Sequence, residues 1–364
     1  MGDAAVDLNK NDRRANTPNA ARVRAITRML LALNVMLIAA MIAFPSTTAS
    51  AAEAGKPDFE LKSDDRDGEL KVTVLGKQLT DVYAFELDVD FDPLRMQLSK
   101  ARTGAAGFTM EPVVKGRKIV FAFTKVGGAA GIDGNAALAE LTFKRIRGGE
   151  AKVTLNGVKL VNSALQMTSV SRTDSVAAVD GTIRQELGDI AGHWAKERIR
   201  TAVELGFAAG YEDGSFRPQN RITRAEFAVL LARALQLPDA GKPITFSDAS
   251  HIPGWAKKAV ASAAEAGLIR GYADGSFRAD RFISRAEMAV LVVRALGDVP
   301  ASGPSSVFAD AEQIPSWALP SVQLAVHHGL MQGRGNGLFA PLAPTNRAEA
   351  VSVMLGLLDA RINQ

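Results

Sequence analysis

The feature that most constrains this chain is a threefold internal repeat in its carboxyl half. Its three tryptophans, Trp194, Trp255 and Trp317, lie 61 and 62 residues apart, and Arg224, Arg285 and Arg347 each follow one of them by 30 residues. Between them run "GYEDGSF" (210–216), "GYADGSF" (271–277) and the weaker "GRGNGLF" (333–339). Each unit reads as helix, turn, loop, helix. The first helices, "WAKERIRTAVELG", "WAKKAVASAAEAG" and "WALPSVQLAVHHG", end at Gly206, Gly267 and Gly329, residues suited to a left-handed cap. The second helices begin at "TRAE", "SRAE" and "NRAE", the spacing of a capping box. Apolar residues such as Phe227, Leu230, Leu231 and Leu235 then mark one helical stripe. One pair of short helices cannot bury such a stripe, so the three repeats are expected to close around a shared centre as an all-α, pseudo-threefold bundle with the second helices inside.

The capping boxes create an electrostatic puzzle. They place Arg224, Arg285 and Arg347 in the first helical turn, where the partial positive charge of the helix amino end disfavours a cation by a few tenths of a kcal/mol. An anionic ligand would resolve it, since free N–H groups at a helix start attract a carboxylate and an arginine adds a charge-assisted hydrogen bond. Pairing of the same arginines with carboxylates across repeat boundaries is the structural alternative. The tryptophans are either exposed flat faces or core residues, and Asp189, Asp248 and Asp310 are either free acceptors or caps of the first helices.

The succession of an Asp, W-A, G-Y-x-D-G-S-F and I-[TS]-R-A-E resembles the S-layer homology (SLH) domain, and it covers nearly half the chain. The repeats are set at 187–236, 246–297 and 308–358. The resemblance implies non-covalent attachment to the cell wall of a Gram-positive-type bacterium through secondary cell-wall polysaccharide, often bearing pyruvate ketals and held in grooves between neighbouring repeats. It implies glycan-binding roles for Asp189, Trp194, Gly210 and Arg224, for Asp248, Trp255, Gly271 and Arg285, and for Asp310, Trp317, Gly333 and Arg347. The third repeat departs from the pattern: Arg334 and Asn336 stand where the others have Tyr and Asp, and Pro320 sits early in its first helix. Three equal sites are therefore not expected.

Residues 56–182 have another texture. "YAFELDVDFDP" (83–93) alternates strictly, with Phe85, Leu87, Val89 and Phe91 on one side. "ELKVTVLG", "RKIVFAFTKV", "ALAELTFKRI", "AKVTLNGVKLV" and "VAAVDGTIR" read as further short strands between Gly, Asp and Asn turns, the signature of an all-β sandwich. The order "VTVLG", "DFDP", "KIVFAF", a Gly-rich connection, "LAELTFK" and "LNGVKLVNS" resembles the cohesin domain of cellulosome scaffolding proteins. That resemblance implies a nine-stranded jelly-roll sandwich whose flat sheet face receives a dockerin module carried by a polysaccharide-degrading enzyme. Ala84, Glu86 and Asp88 fall near the family's recognition face; simple solvent exposure is the other reading of these carboxylates.

Residues 1–51 read as a secretory signal peptide: Arg22, Arg24 and Arg28, then "MLLALNVMLIAAMIAF" (29–44), then Ala49-Ser50-Ala51 as a cleavage site. The apolar run is shorter than the ~20 residues of a spanning helix, so no retained membrane segment is expected. Much of the formal charge of +4 lies in this segment, and the remainder is nearly neutral, which gives no support for nucleic-acid binding. There is no cysteine, so disulfides and thiolate metal sites are excluded. "SDDRDGEL" (63–70) fails as a calcium loop because Val74 occupies the position of the bidentate Glu. His193, His251, His327 and His328 make no metal-ligand spacing, and no nucleophile elbow or facing carboxyl pair appears.

The expectation is a secreted, non-catalytic adaptor, attached to the wall or surface layer, without cofactor or metal. It would grip secondary cell-wall polysaccharide, with pyruvylation expected, through its repeats and display the sandwich to a dockerin-bearing secreted protein, joined by the short connector "DGTIRQELGD" (180–189). The competing reading is a structural surface-layer or adhesin protein whose sandwich binds carbohydrate or neighbouring subunits directly.

Overall fold

The computed structural model describes residues 56–179, 186–297 and 308–364. The expected signal segment and residues 180–185 of the connector lie outside the described residues. The amino-terminal part is all-β. Strand β1 (Asp58–Arg66) turns through Asp67 and Gly68, both at positive φ (53° and 77°), into β2 (Glu69–Phe91), as a two-residue hairpin turn requires. Then come β3 (Met96–Arg102), β4 (Phe108–Thr109), β5 (Val113–Lys115), β6 (Lys118–Thr124), β7 (Ile132–Arg145), β8 (Glu150–Asn162) and β9 (Met167–Val179).

Strand β2 organises this part. Its first half pairs with β1 and β7, and its second half pairs with β6 and β8, all antiparallel. Leu70, Val72 and Val74 are buried in the first half, whereas Phe85, Leu87, Val89 and Phe91 are buried in the second. The alternation therefore changes phase, and it does so across Gln78 and Asp81, two non-glycine residues at positive φ (52° and 48°) beside register shifts in the β7 pairing. Such irregularities bend a strand and re-aim its side chains. The segments "ELKVTVLG" and "YAFELDVDFDP" are thus one bent strand within a single nine-stranded sheet. Phe59, Leu70, Leu87, Ile119, Phe121 and Phe143 belong to the core of this part, each contributing about 1.5–3 kcal/mol by leaving water.

The repeats supply six α-helices: α1 (Lys196–Glu204), α2 (Arg224–Ala234), α3 (Gly254–Glu265), α4 (Arg285–Leu296), α5 (Leu319–His327) and α6 (Arg347–Ile362). All three capping boxes form, through Thr223 with Glu226, Ser284 with Glu287 and Asn346 with Glu349. Gly206, Gly267 and Gly329 close α1, α3 and α5 at φ 76°, 72° and 66°. The second helices are buried on more than the one stripe expected: every residue of α4 except Arg294 is buried. Residues from all three repeats share one core.

At the start of the second helices the repeats exchange backbone bonds in a closed circuit. The Ile222 N–H donates to Thr345 C=O (3.0 Å), Thr345 N–H to Ile283 C=O (2.9 Å), and Ile283 N–H to Ile222 C=O (3.1 Å). Three antiparallel β-bridges, Arg221 with Asn346, Thr223 with Phe282, and Ser284 with Pro344, lie at the same place, an element that the all-α expectation lacked. The β part also touches the repeats: Arg95 bonds Asp92 and Glu204, Arg147 donates to Ala234 C=O, and Arg117 pairs with Asp359.

The third repeat places Thr345 where the others have Ile222 and Ile283. Thr345 is fully buried, and its hydroxyl has no hydrogen-bond partner among the described residues. Thr345→Val removes that oxygen at nearly constant shape and is expected to stabilise the protein by about 1–2 kcal/mol. A rise in the urea unfolding midpoint at unchanged slope is the readout; a fall shows that the hydroxyl is satisfied.

Candidate functional site

The helix-start amides are not free. Arg224 N–H donates to Arg281 C=O and Ala225 N–H to Ala279 C=O; Arg285 and Ala286 bond Ala343 and Pro341; Arg347 and Ala348 bond Asn220 and Pro218. The third amide in each helix is taken by the cap side chain. An anion site built on unpaired helix-start N–H groups is therefore ruled out, because the neighbouring repeat's carbonyls already occupy them.

Other carbonyls of the same loops explain the arginines. Arg224 Nε donates to Phe277 C=O (2.9 Å), Arg285 Nε to Phe339 C=O (2.8 Å) and Arg347 Nε to Phe216 C=O (2.9 Å), each reaching into the loop of another repeat. Arg285 also bonds Gln332 C=O and Glu349, and Arg224 lies 3.6 Å from Glu287. Each guanidinium stacks over the phenylalanine ring whose carbonyl it binds, at 4.6–5.1 Å, a favourable cation–π distance. Cross-repeat pairing with carboxylates thus holds for Arg224 and Arg285, which are only 6% and 4% exposed. Arg347 is half-buried and has no carboxylate at ion-pair distance among the described residues.

The aspartates are loop clamps and do not cap the first α-helices. Asp189 accepts from the backbone N–H of Phe216 and Arg217, Asp248 from Phe277 and Arg278, and Asp310 from Phe339 and Ala340, at 2.6–2.8 Å. The glycines sit where the loop folds back. A Cβ on Gly271 would lie 3.0 Å from Ser276 O, and one on Gly333 would lie 2.9 Å from Leu338 O; Gly210 precedes Tyr211, whose N–H bonds Ser215 C=O. The tryptophans are not core residues: Trp194, Trp255 and Trp317 are 64%, 61% and 59% exposed.

Two acids that the sequence showed only as cap residues complete the arrangement. Burial pushes the Glu287 carboxyl up, but the Tyr272 hydroxyl, the Ser284 amide and the Arg224 charge outweigh it and hold the group below the ordinary glutamate range. Glu349 is held down in the same way, against burial, by Arg334, the Asn346 amide and Arg285. Burial lowers both Arg224 and Arg285. Their cross-repeat contacts have no local sequence signal, since the glutamates already satisfy the i, i+3 pattern of a cap.

On the β part, Ala84, Glu86 and Asp88 lie on the outer side of β2, half-buried. Lys159 of β8 bonds Glu86 (2.7 Å) and Lys118 of β6 bonds Asp88 (3.0 Å), whereas Asp90 on the same side keeps a buried Oδ1 without a hydrogen-bond partner among the described residues. Beside it Phe108, Met110, Val113 and Val114 expose 47–58% of their surface.

Residues 186–228, 245–289 and 307–351 match the S-layer homology domain. The chain carries three SLH domains. Such domains mark a protein attached at the cell surface, and no helix among the described residues is long and apolar enough to cross a membrane. Similar proteins include an amylopullulanase of Thermoanaerobacterium thermosulfurigenes, 32% identical over 176 residues (47% of this chain, 9% of that protein). A cellulosome-anchoring protein of Acetivibrio thermocellus is 37% identical over 164 residues (42% and 36%). The chain thus spans well under half the length of these relatives. A cohesin module from a family 33 glycoside hydrolase of Clostridium perfringens aligns at 13% identity, over 34% of this chain and 95% of that one, with a TM-score of 0.30.

The glutamate pKa shifts fix the sign of a pH effect on the SLH domains. Folded-state values below the ordinary 4.5 mean that the ionised carboxylates contribute stability above that value, and that it is lost as pH falls through the folded-state values. Thermal melts should show a midpoint that drops on acidification below about pH 4.5. In a Glu287→Gln, Glu349→Gln double variant the neutral-pH midpoint should be lower and this acid-side drop shallower; an equally steep drop would assign acid sensitivity to other groups.

Proposed function

We propose that the protein is a non-catalytic adaptor of the bacterial cell surface. Its SLH domains act as one pseudo-threefold unit that holds secondary cell-wall polysaccharide, and its β-sandwich, read as a cohesin-like jelly roll, presents a partner face to a dockerin-bearing secreted protein. The observation that carries the wall reading is the set of three indoles, each about 60% exposed, spaced like the three inter-repeat arginines. A flat apolar ring suits a sugar ring and a fixed cation suits its carboxylate, here expected as ketal-linked pyruvate. Asp189, Asp248 and Asp310, with Gly210, Gly271 and Gly333, shape the loops on which each groove depends.

The sandwich reading is supported by the order of its strand motifs and by the outer side of β2. Across Ala84, Glu86 and Asp88 the cross-strand lysines leave little net charge, and Phe108 and Val113 stand exposed nearby. A partner's apolar side chains meet two carboxylates already matched by lysines there. Bivalent tethering follows: one end holds glycan, the other a protein, and any catalysis belongs to what docks.

A split retention assay tests both ends. The full chain should be retained by purified walls, and retention should fall sharply once ketal-linked pyruvate is removed. The sandwich face, probed with the secreted proteins of the same cells, should capture a dockerin-bearing enzyme, and Ala84→Arg should abolish that capture without changing wall retention. Unchanged retention on stripped walls rejects the carboxylate's role; capture of copies of the chain itself instead supports a structural surface-layer protein.

A further inference from the structure

The three inter-repeat grooves differ in charge balance. In the groove where the first repeat's arginine meets the second repeat, Arg224 is buried against Glu287, and the Tyr272 hydroxyl also bonds that glutamate. In the next, Arg285 is buried against Glu349, and Arg334 binds the same carboxylate through two nitrogens (2.8 and 2.6 Å). In the last, where the third repeat returns to the first, Arg347 bonds only the carbonyls of Phe216 and Ala209 and lies 4.9 Å over the Tyr211 ring. No carboxylate lies within ion-pair distance of it among the described residues, Glu226, at the position of Glu287 and Glu349, being bonded to Thr223 of its own cap, and its side chain is not fully covered.

The walls of this groove differ as well. Asn346, next to Arg347, donates to the Gln219 carboxamide (3.2 Å), and the Gln219 amide lies 2.9 Å from His193 Nε2. The His193 ring sits 5.4 Å from that of Trp194, so one chain of contacts joins the uncompensated cation to an exposed indole. The repeat spacing puts Asp280 and Leu342 at the positions equivalent to Gln219, and Gly254 and Ser316 at those equivalent to His193. A carboxylate at Asp280 repels an anion, and Leu342 offers no hydrogen bond. From these differences we infer that the groove formed by Arg347, Trp194, His193 and Gln219 is the principal site for a singly charged acidic sugar, and that the other two grooves serve mainly to hold the repeats together. This rests on the wall-binding reading above and assigns its anion contact to one place.

The single tryptophan of each repeat makes this measurable in the full chain. Three variants, each keeping one indole and carrying Phe at the other two positions, are titrated with a methyl hexoside bearing a pyruvate ketal, with its uncharged methyl ester as control. The Trp194 variant should change emission with the acid and not with the ester, and the Trp255 and Trp317 variants should stay unchanged over the range that saturates it. In the wild-type background Arg347→Gln should weaken binding by about tenfold to a hundredfold, with Arg347→Lys recovering part of the loss and a thermal melt confirming the fold. Arg224→Gln and Arg285→Gln should lower the melting midpoint, since each leaves a buried glutamate without its partner. Saturable responses from Trp255 or Trp317 at equal or lower concentration overturn the groove assignment and leave wall attachment standing. Failure of the wild-type chain to be retained by untreated walls overturns the reading on which it rests.

Discussion

The carboxyl half depends on an exchange of backbone hydrogen bonds between repeats. Every helix start leaves orphan N–H groups that burial makes costly. Here the first two amides of α2, α4 and α6 go to carbonyls of another repeat, and the cap side chain takes the third. Because the third repeat returns its bonds to the first, no repeat is left with open groups at this end. The first-turn arginines belong to the same device: each extends its helix start by one long donor into a loop whose carbonyl would otherwise be orphaned by the fold-back around Gly271 or Gly333. A cation at a helix amino end is tolerated because it meets carbonyl oxygens and, in two cases, a glutamate.

Much of this was legible. The capping boxes at Thr223, Ser284 and Asn346, the glycine caps at Gly206, Gly267 and Gly329, and the alternation of Phe85, Leu87, Val89 and Phe91 are local patterns, and local patterns carry local geometry. What was not legible depends on partners distant in sequence. Glu287 and Glu349 look like cap residues and nothing more until the neighbouring repeat brings an arginine against them. Asp189 reads as a cap for α1 because its two amide partners lie 27 and 28 residues away. Strand β2 was divided in two because Gln78 and Asp81, residues that do not announce a left-handed backbone, carry the bend. Strands β1 and β3 escaped because much of their length is exposed and shows little alternation.

The two ends of the molecule treat charge in opposite ways. On the sandwich face Glu86 and Asp88 are matched across strands by Lys159 and Lys118, so what distinguishes the surface is shape and the neighbouring apolar side chains. Exposed pairs of this kind add little stability; their effect is to lower the net field of that face. Among the repeats, charge is buried, and two of three arginines are compensated inside the fold.

That contrast bears on how repetition and specificity coexist. Three identical grooves would each have to serve packing and recognition with the same arginine, and a guanidinium spent on a buried glutamate has little left to offer a ligand. The three junctions differ at a few positions. Tyr272 and Arg334 bond the acid that faces the arginine at two of them, while at the third Gln219 bonds His193. The closed circuit of backbone bonds makes such divergence affordable, because the junction is held by groups that no substitution of a side chain removes. The geometry common to all three repeats thus comes from the backbone, and the difference between grooves comes from the second layer of side chains around one conserved position in the repeat.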